Sequence, residues 1–361
     1  MKKFKSFAAI AAVSTLALAA CSGGDSEGTS ADNTAKTDYK ACVVSDAGGW
    51  DDKSFNESAY NGLKQAESEL GISIGAAESK DDADYDPNVE AQIADNCDLI
   101  IGVGFNLAAA GTKAAEANPD ISFALIDSAF TNDKGEVQNF PNARPLTFNT
   151  SEAAYLAGYV AAAQSKSGIV ATFGGLPIPS VTIFMDGFVD GVAAYNTAKG
   201  KDVKVLGWDK AAQSGSFTNS FEDQALGKTL AQQFIDQGAD IIMPVAGPVG
   251  LGAAAAAKAD GDTLIIGVDA DWYETAPDYK EIILTSVLKG IAPSVFDTIK
   301  AGVDGKFSAD PYIGTLENGG VDIASFHDFD SQVSDETKKE VADLKAKIIS
   351  GELKVESPSA P

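Results

Sequence analysis

Short apolar runs rich in Val and Ile recur along the chain at 41–45, 72–76, 99–103, 121–126, 168–173, 203–206, 240–245, 264–268 and 282–287, with helical stretches between them. Strands that are apolar at every position, rather than at alternate ones, are buried on both faces. Helices of ten or more residues between them supply the cover. The pattern predicts an α/β fold built on parallel sheets. Part of it repeats without gaps. Asp98-Leu-Ile-Ile101, an Ala-rich helix and Ile121-Ser-Phe-Ala-Leu-Ile-Asp127 are echoed by Asp240-Ile-Ile-Met243, another Ala-rich helix and Leu264-Ile-Ile-Gly-Val-Asp269. The two segments are equally long, since 127 − 98 and 269 − 240 are both 29. Two similarly wound lobes would set Asp127 and Asp269 at the carboxyl ends of equivalent strands, where open α/β sheets bind ligands. An interlobe cleft with one acid on each wall is the expectation, and two strand-ending turn residues the alternative.

The pattern is different at the start. Lys2, Lys3 and Lys5 precede an apolar run from Phe7 to Ala20, too short to span a membrane comfortably, which reads as a secretory signal. It ends in Leu18-Ala-Ala-Cys21, which resembles the bacterial lipobox, so Cys21 is expected to begin the mature chain and carry lipid. Residues 22–38 hold no large apolar side chain and read as a flexible tether. The remaining length suits two lobes rather than one small core. Charge then narrows the ligand. The chain has 27 basic and 52 acidic residues, and loss of the three-Lys signal leaves 24 − 52 = −28. Such a surface repels nucleic acid, anionic head groups and nucleotides, and admits neutral or cationic small molecules. Outside the cytoplasm Cys42 and Cys97 form a candidate disulfide, because adjacent parallel strands would bring them together. Two separate buried thiols are the other possibility.

Motif searches mostly exclude chemistry. His327 is the only histidine and lies far from any nucleophile-elbow serine, which argues against a Ser-His-Asp triad. Gly24-Asp-Ser-Glu-Gly28 matches G-x-S-x-G but falls in the tether. Leu226-Gly-Lys-Thr229 looks like the end of a phosphate loop, yet Glu222 stands where its first glycine belongs. Gly102-Val-Gly104 begins a dinucleotide fingerprint that Leu107 breaks. Asp82, Asp84 and Asp86 start like a calcium loop, but Pro87 and Ile93 occupy the positions of its turn glycine and bidentate glutamate. A solvated acidic loop before a helix at Pro87 is expected instead. No metal and no cofactor are implied, and few nitrogen and sulfur ligands are present for zinc.

A recognition surface remains. Asp46-Ala-Gly-Gly-Trp-Asp-Asp-Lys-Ser-Phe-Asn-Glu-Ser-Ala-Tyr-Asn-Gly-Leu63 follows the first strand; its glycine pair lets the backbone turn before Ser54 or Asp52 caps a helix. This stretch closely resembles the signature of the basic membrane protein family, the purine nucleoside receptor lipoproteins of bacterial ABC transporters. The resemblance continues through Ser151-Glu-Ala-Ala-Tyr-Leu-Ala-Gly158, Phe184-Met-Asp-Gly-Phe-Val-Asp-Gly191, Phe221-Glu-Asp-Gln-Ala-Leu-Gly-Lys228, Gln237-Gly-Ala-Asp-Ile-Ile242 and Gly267-Val-Asp269, and it covers about residues 40–330.

The resemblance implies a type I periplasmic-binding fold, with two Rossmann-like lobes closing about a hinge on a nucleoside. It implies that Phe55 and Phe221 sandwich the base, with Phe217 as second choice for Phe221. A core position is the ordinary alternative for either ring. Asp127 resembles the acid that reads the base, and Asp46 and the neighbouring Asn56 another polar contact. Asp269 resembles the acid that takes ribose hydroxyls, with Asp271 as fallback. Lys289 matches a lysine near the sugar, though a lone lysine usually faces solvent, and Gly247 brings backbone close to the ribose. Trp50 stands where relatives carry a smaller residue, and either lines the cleft mouth or packs on the helix below. The expected organisation is a signal peptide at 1–20, a lipidated tether at 21–38, one lobe from 39–150 with about 286–320, and a second from 151–285 with the C-terminal segment, including a helix from Ser334 to Ser350. The expected partners are a purine nucleoside (adenosine, guanosine or inosine), permease subunits with a cytoplasmic ATPase, and the membrane through the lipid anchor. A monomer on the extracytoplasmic face, without nucleic acid and without enzymatic activity, completes the reading. Its rivals are a receptor for a sugar or another heterocycle, a surface nucleoside hydrolase, and an adhesin or signalling lipoprotein.

Overall fold

Apolar strands and amphipathic or Ala-rich helices alternate as the sequence pattern requires, and they sort into two sheets. The computed structural model describes residues 38–132 and 134–361; the signal, Cys21 and all but the last residue of the tether lie outside the described residues. The first lobe runs β1 (Lys40–Ser45), α1 (Phe55–Leu70), β2 (Ser73–Ala77), α2 (Tyr85–Ala94), β3 (Leu99–Val103), α3 (Ala108–Ala117), β4 (Ser122–Ile126) and β5 (Ala143–Phe148). The second runs α4 (Thr150–Gln164), β6 (Ile169–Gly174), α5 (Pro179–Lys199), β7 (Lys204–Leu206), the small hairpin β8 (Trp208–Asp209) and β9 (Ser214–Gly215), α6 (Gln224–Asp236), β10 (Ile241–Val245), α7 (Val249–Asp260), β11 (Leu264–Asp269), α8 (Trp272–Thr275) and β12 (Ile283–Lys289). The chain then crosses back through α9 (Ile291–Val303) and β13 (Tyr312–Gly314), and returns through β14 (Val321–Ile323) and α10 (Asp335–Ile349).

The sheet orders are β13-β5-β4-β3-β1-β2 and β14-β12-β11-β10-β6-β7, the same winding twice. Within these two sheets every pairing among the described residues is parallel except β14, which runs antiparallel to β12. The chain passes between the lobes at β5–α4, β12–α9 and β13–β14. Strand β5 was not legible as an apolar run because Arg144 and Pro145 interrupt it. Strands β13 and β14, three residues each, were too short to register.

Local chemistry explains where the elements begin and meet. The Asp52 carboxylate accepts from the backbone N–H groups of Ser54, Asn56 and Glu57 at 2.9, 2.8 and 3.0 Å, so Asp52 caps α1 while the Ser54 side chain is turned elsewhere. Helix α2 starts at Tyr85, two residues ahead of Pro87, after a 3₁₀ turn at Asp82–Asp84 held by the Asp81 carboxylate. Cys42 on β1 and Cys97 just ahead of β3 are disulfide-bonded, with Cα atoms 6.0 Å apart. Helices α4 and α5 pack backbone to backbone, since a side chain at Gly158, Gly187 or Gly191 would strike a carbonyl of the other helix. Ser334 caps α10, which lies on the second lobe, where Glu340 takes bonds from Tyr159 and Lys199.

Candidate functional site

Because the two sheets are wound alike, the carboxyl ends of β1, β3 and β4 face those of β10 and β11, and the loops leaving them line a cavity. It encloses about 560 Å³, mouth included, and Asp46, Phe55, Asn56, Asp127, Phe221, Gly247, Asp269 and Lys289 all border it. Among the residues the sequence left open, Phe217 and Asp271 do not border the cavity. Phe217 packs edge-on against Trp208, and Asp271 caps α8 while pairing with His327 at 2.7 Å. Trp50 stacks on Tyr60 of α1, with ring centres 5.2 Å apart, and so packs on the helix rather than in the cavity.

Asp127 and Asp269 occupy equivalent strand ends and share an unusual backbone, with φ of 65° and 67°. This left-handed turn is rare for a side-chain-bearing residue, and such strain collects at functional sites. Between the two acids stands Lys289, the last residue of β12. Its side chain is 3 % exposed; Nζ lies 2.6 Å from Asp127 Oδ2 and 3.2 Å from Asp269 Oδ1. The second contact is an ion pair without a formed hydrogen bond, and Asp269 Oδ1 is a buried acceptor with no hydrogen-bond donor among the described residues. Asn56 Oδ1 is in the same position, while its amide nitrogen donates to the Ala47 carbonyl at 3.2 Å. Burial disfavours the Lys289 cation, but Asp127 and Asp269 outweigh it and hold its pKa above that of an ordinary lysine. The rings of Phe55, Phe184 and Phe148 lie 4.8, 5.4 and 5.7 Å from Nζ.

Asp46 sits directly after β1, with its N–H bonded to the Val103 carbonyl and its carboxyl against Gly104, which has φ 112° and no room for a side chain. Burial pushes its pKa up to about 8, and the nearby charges of Asp52 and Asp127 add to the shift against an Asn56 hydrogen bond. Burial likewise raises Asp52 to about 6. At neutral pH the Asp46 carboxyl is therefore largely protonated and can donate as well as accept. Gly247, with φ 52°, turns the loop after β10 beneath Phe221.

Asp52, Phe105, Ile178, Val181, Phe184 and Pro248 also line the cavity without having been singled out for it. Asp52 and Phe184 fall inside motifs already quoted. The apolar Ile178–Phe184 segment reads like any buried helix start, and only the facing of the lobes turns it toward the cavity.

The family described as "ABC transporter substrate-binding protein PnrA-like" (Bmp) matches residues 39–359. The "ABC transporter nucleoside-binding protein BmpA" of Lactococcus lactis subsp. cremoris is 33% identical over 99% of both chains. "Basic membrane protein A" of Borreliella burgdorferi is 33% identical over 86% of both. A solved solute-binding protein of an ABC transporter system from Aeropyrum pernix K1 superposes with a TM-score of 0.78 at 27% identity, covering 89% of this chain and 94% of its own. The chain belongs to the Bmp family of ABC transporter substrate-binding proteins and has the type I periplasmic-binding fold. Its family binds and delivers small molecules outside the cytoplasm, to a permease driven by an ATPase, and is not enzymatic.

Proposed function

We propose that the protein captures purine nucleosides between its lobes and presents them to the permease, anchored to the outer face of the cell membrane by lipid on Cys21. The observation that carries the reading is one cavity bordered by two aromatic rings, Phe55 and Phe221, and by the Asp127–Lys289–Asp269 group. Two rings favour a flat heterocycle, and stacking tolerates different purines. Carboxylates with free acceptor capacity favour a ligand rich in donors: ring N–H or an amine toward Asp127, ribose hydroxyls toward Asp269 and Lys289. One lysine among four aspartates leaves no excess positive charge for a phosphate, so nucleosides are preferred to nucleotides. Asp46 and Asn56 complete the polar wall, and the Gly247 loop allows backbone to approach the sugar. The first lobe comprises 39–150 with about 290–320 and the second 151–289 with the C-terminal segment, β12 through Lys289 being paired with β11 and β14. The protein works as a monomer, through hinge closure without bond making or breaking.

Isothermal titration with adenosine, guanosine, inosine, cytidine and ribose tests this. Micromolar or tighter binding of the purine nucleosides is expected, with the nucleoside recovered intact. Phe55→Ala and Phe221→Ala should each weaken it by about 1–3 kcal/mol. Preference for ribose, or free base released from inosine, would overturn the assignment. Adenosine and 2′-deoxyadenosine binding equally would remove Asp269 from the sugar, since a site built for a hydroxyl rejects analogues lacking it.

A further inference from the structure

We propose that Ser54 and Thr275 form a clasp between the lobes that sets how long a ligand stays bound, although neither borders the cavity. Thr275 Oγ1 on α8 donates to the Lys53 carbonyl across the cleft at 2.8 Å. One residue further along the first lobe, the buried Ser54 hydroxyl reaches back to Asp269 Oδ2 at 3.1 Å and to the Val268 carbonyl at 3.2 Å. The exchange is reciprocal: each lobe contributes a hydroxyl, and each accepts one.

Both jaws are stiff. On the first lobe the Asp52 carboxylate fixes three backbone N–H groups at the start of α1, and Lys53 holds a left-handed φ of 60°. On the second lobe Trp272, 1 % exposed, donates its backbone N–H to Ser286 Oγ and its indole N–H to the Val268 carbonyl, both at 3.0 Å. Asp271 caps the same short helix at Tyr273 and is braced by His327. Rigid jaws let two hydroxyls act over the full width of the cleft. Ser54 has a second effect through Asp269: with Oδ2 tied to Ser54, Oδ1 is left beside Lys289 with its acceptor capacity unused among the described residues. Ser54 and Thr275 are thus positioning residues, and the clasp acts on release rather than on encounter, because it forms only when the lobes have met.

Stopped-flow tryptophan fluorescence on the full chain, with inosine as probe, tests the clasp; the choice of probe rests on the nucleoside reading. Thr275→Val should raise the dissociation rate about 2- to 10-fold, the range of one neutral hydrogen bond, with association unchanged. Thr275→Ser should restore the wild-type rate. Ser54→Ala should dissociate faster than Thr275→Val, since it also releases Asp269. Wild-type dissociation in Thr275→Val, or no rescue by serine, would overturn the proposal. If the wild-type chain does not bind inosine, the nucleoside reading fails, and amide hydrogen exchange of the ligand-free chain decides the clasp. Faster exchange at both 51–57 and 269–275 in Thr275→Val supports it, and no change at either refutes it.

Discussion

Lys289 is the side chain on which most of the site's electrostatics rests. It is a cation removed from water, held by carboxylates from both lobes, with rings on its remaining sides. Removing one member of a buried ion pair leaves the others uncompensated, at about 3–5 kcal/mol. Lys289→Met should therefore lower the free energy of unfolding by that order in a denaturant titration, and a loss below about 1 kcal/mol would show the acids to be better solvated than they are here. Nothing in the sequence separated this lysine from a solvent-facing one. Its partner Asp127 is 162 positions away, and only the approach of two sheets makes them neighbours. Asp46 gives a second prediction. Its pKa of about 8 in the folded chain stands against 3.8 for an ordinary aspartate. The folded state holds this proton more tightly than the unfolded one, so the contribution is fully present below about pH 4 and fades as pH rises through 8. This group alone has a slope of up to about 1.4 kcal/mol per pH unit. Asp46→Asn should lose much of the fall in melting temperature that the wild type shows between pH 6 and 8, above the range in which Asp52 titrates.

At the scale of elements, legibility followed the length and apolarity of each run. The strands from β1 to β4 are continuous apolar stretches and were read to within a residue or two. Strand β5 lies inside the first sheet between β4 and β13, yet Arg144 and Pro145 give it the look of a loop. The equal spacing of Asp127 and Asp269 from the preceding aspartates was visible in one dimension, because each half repeats the same strand, helix and strand. What could not be read was that both residues turn left-handed at the strand ends. The Cys42–Cys97 bond ties β1, which leads into Asp46 and α1, to the start of β3. With 55 residues of separation, loop-closure entropy assigns it about 4 kcal/mol. The Cys42→Ser/Cys97→Ser double variant should lose stability of that order in denaturant while inosine affinity changes little. A large loss of affinity at conserved stability would mean that the bond positions the site directly.

The described residues form one winding used twice, with the chain crossing three times between the lobes. This places the carboxyl ends of both sheets opposite each other, so a ligand held by both walls favours the closed arrangement over the open one. The strongly acidic surface discourages anionic competitors, and the cavity's own excess of carboxylates repeats that preference at short range. The fold class followed from the alternation of strands and helices; the ligand class depended on a resemblance in motif, since the type I fold serves many ligands. The most direct measurement is a crystal structure of the protein with inosine. The base should lie between Phe55 and Phe221 with an edge toward Asp127, and the ribose hydroxyls should meet Asp269 and Lys289. Inosine bound elsewhere, or with its sugar between the two rings, would contradict the account.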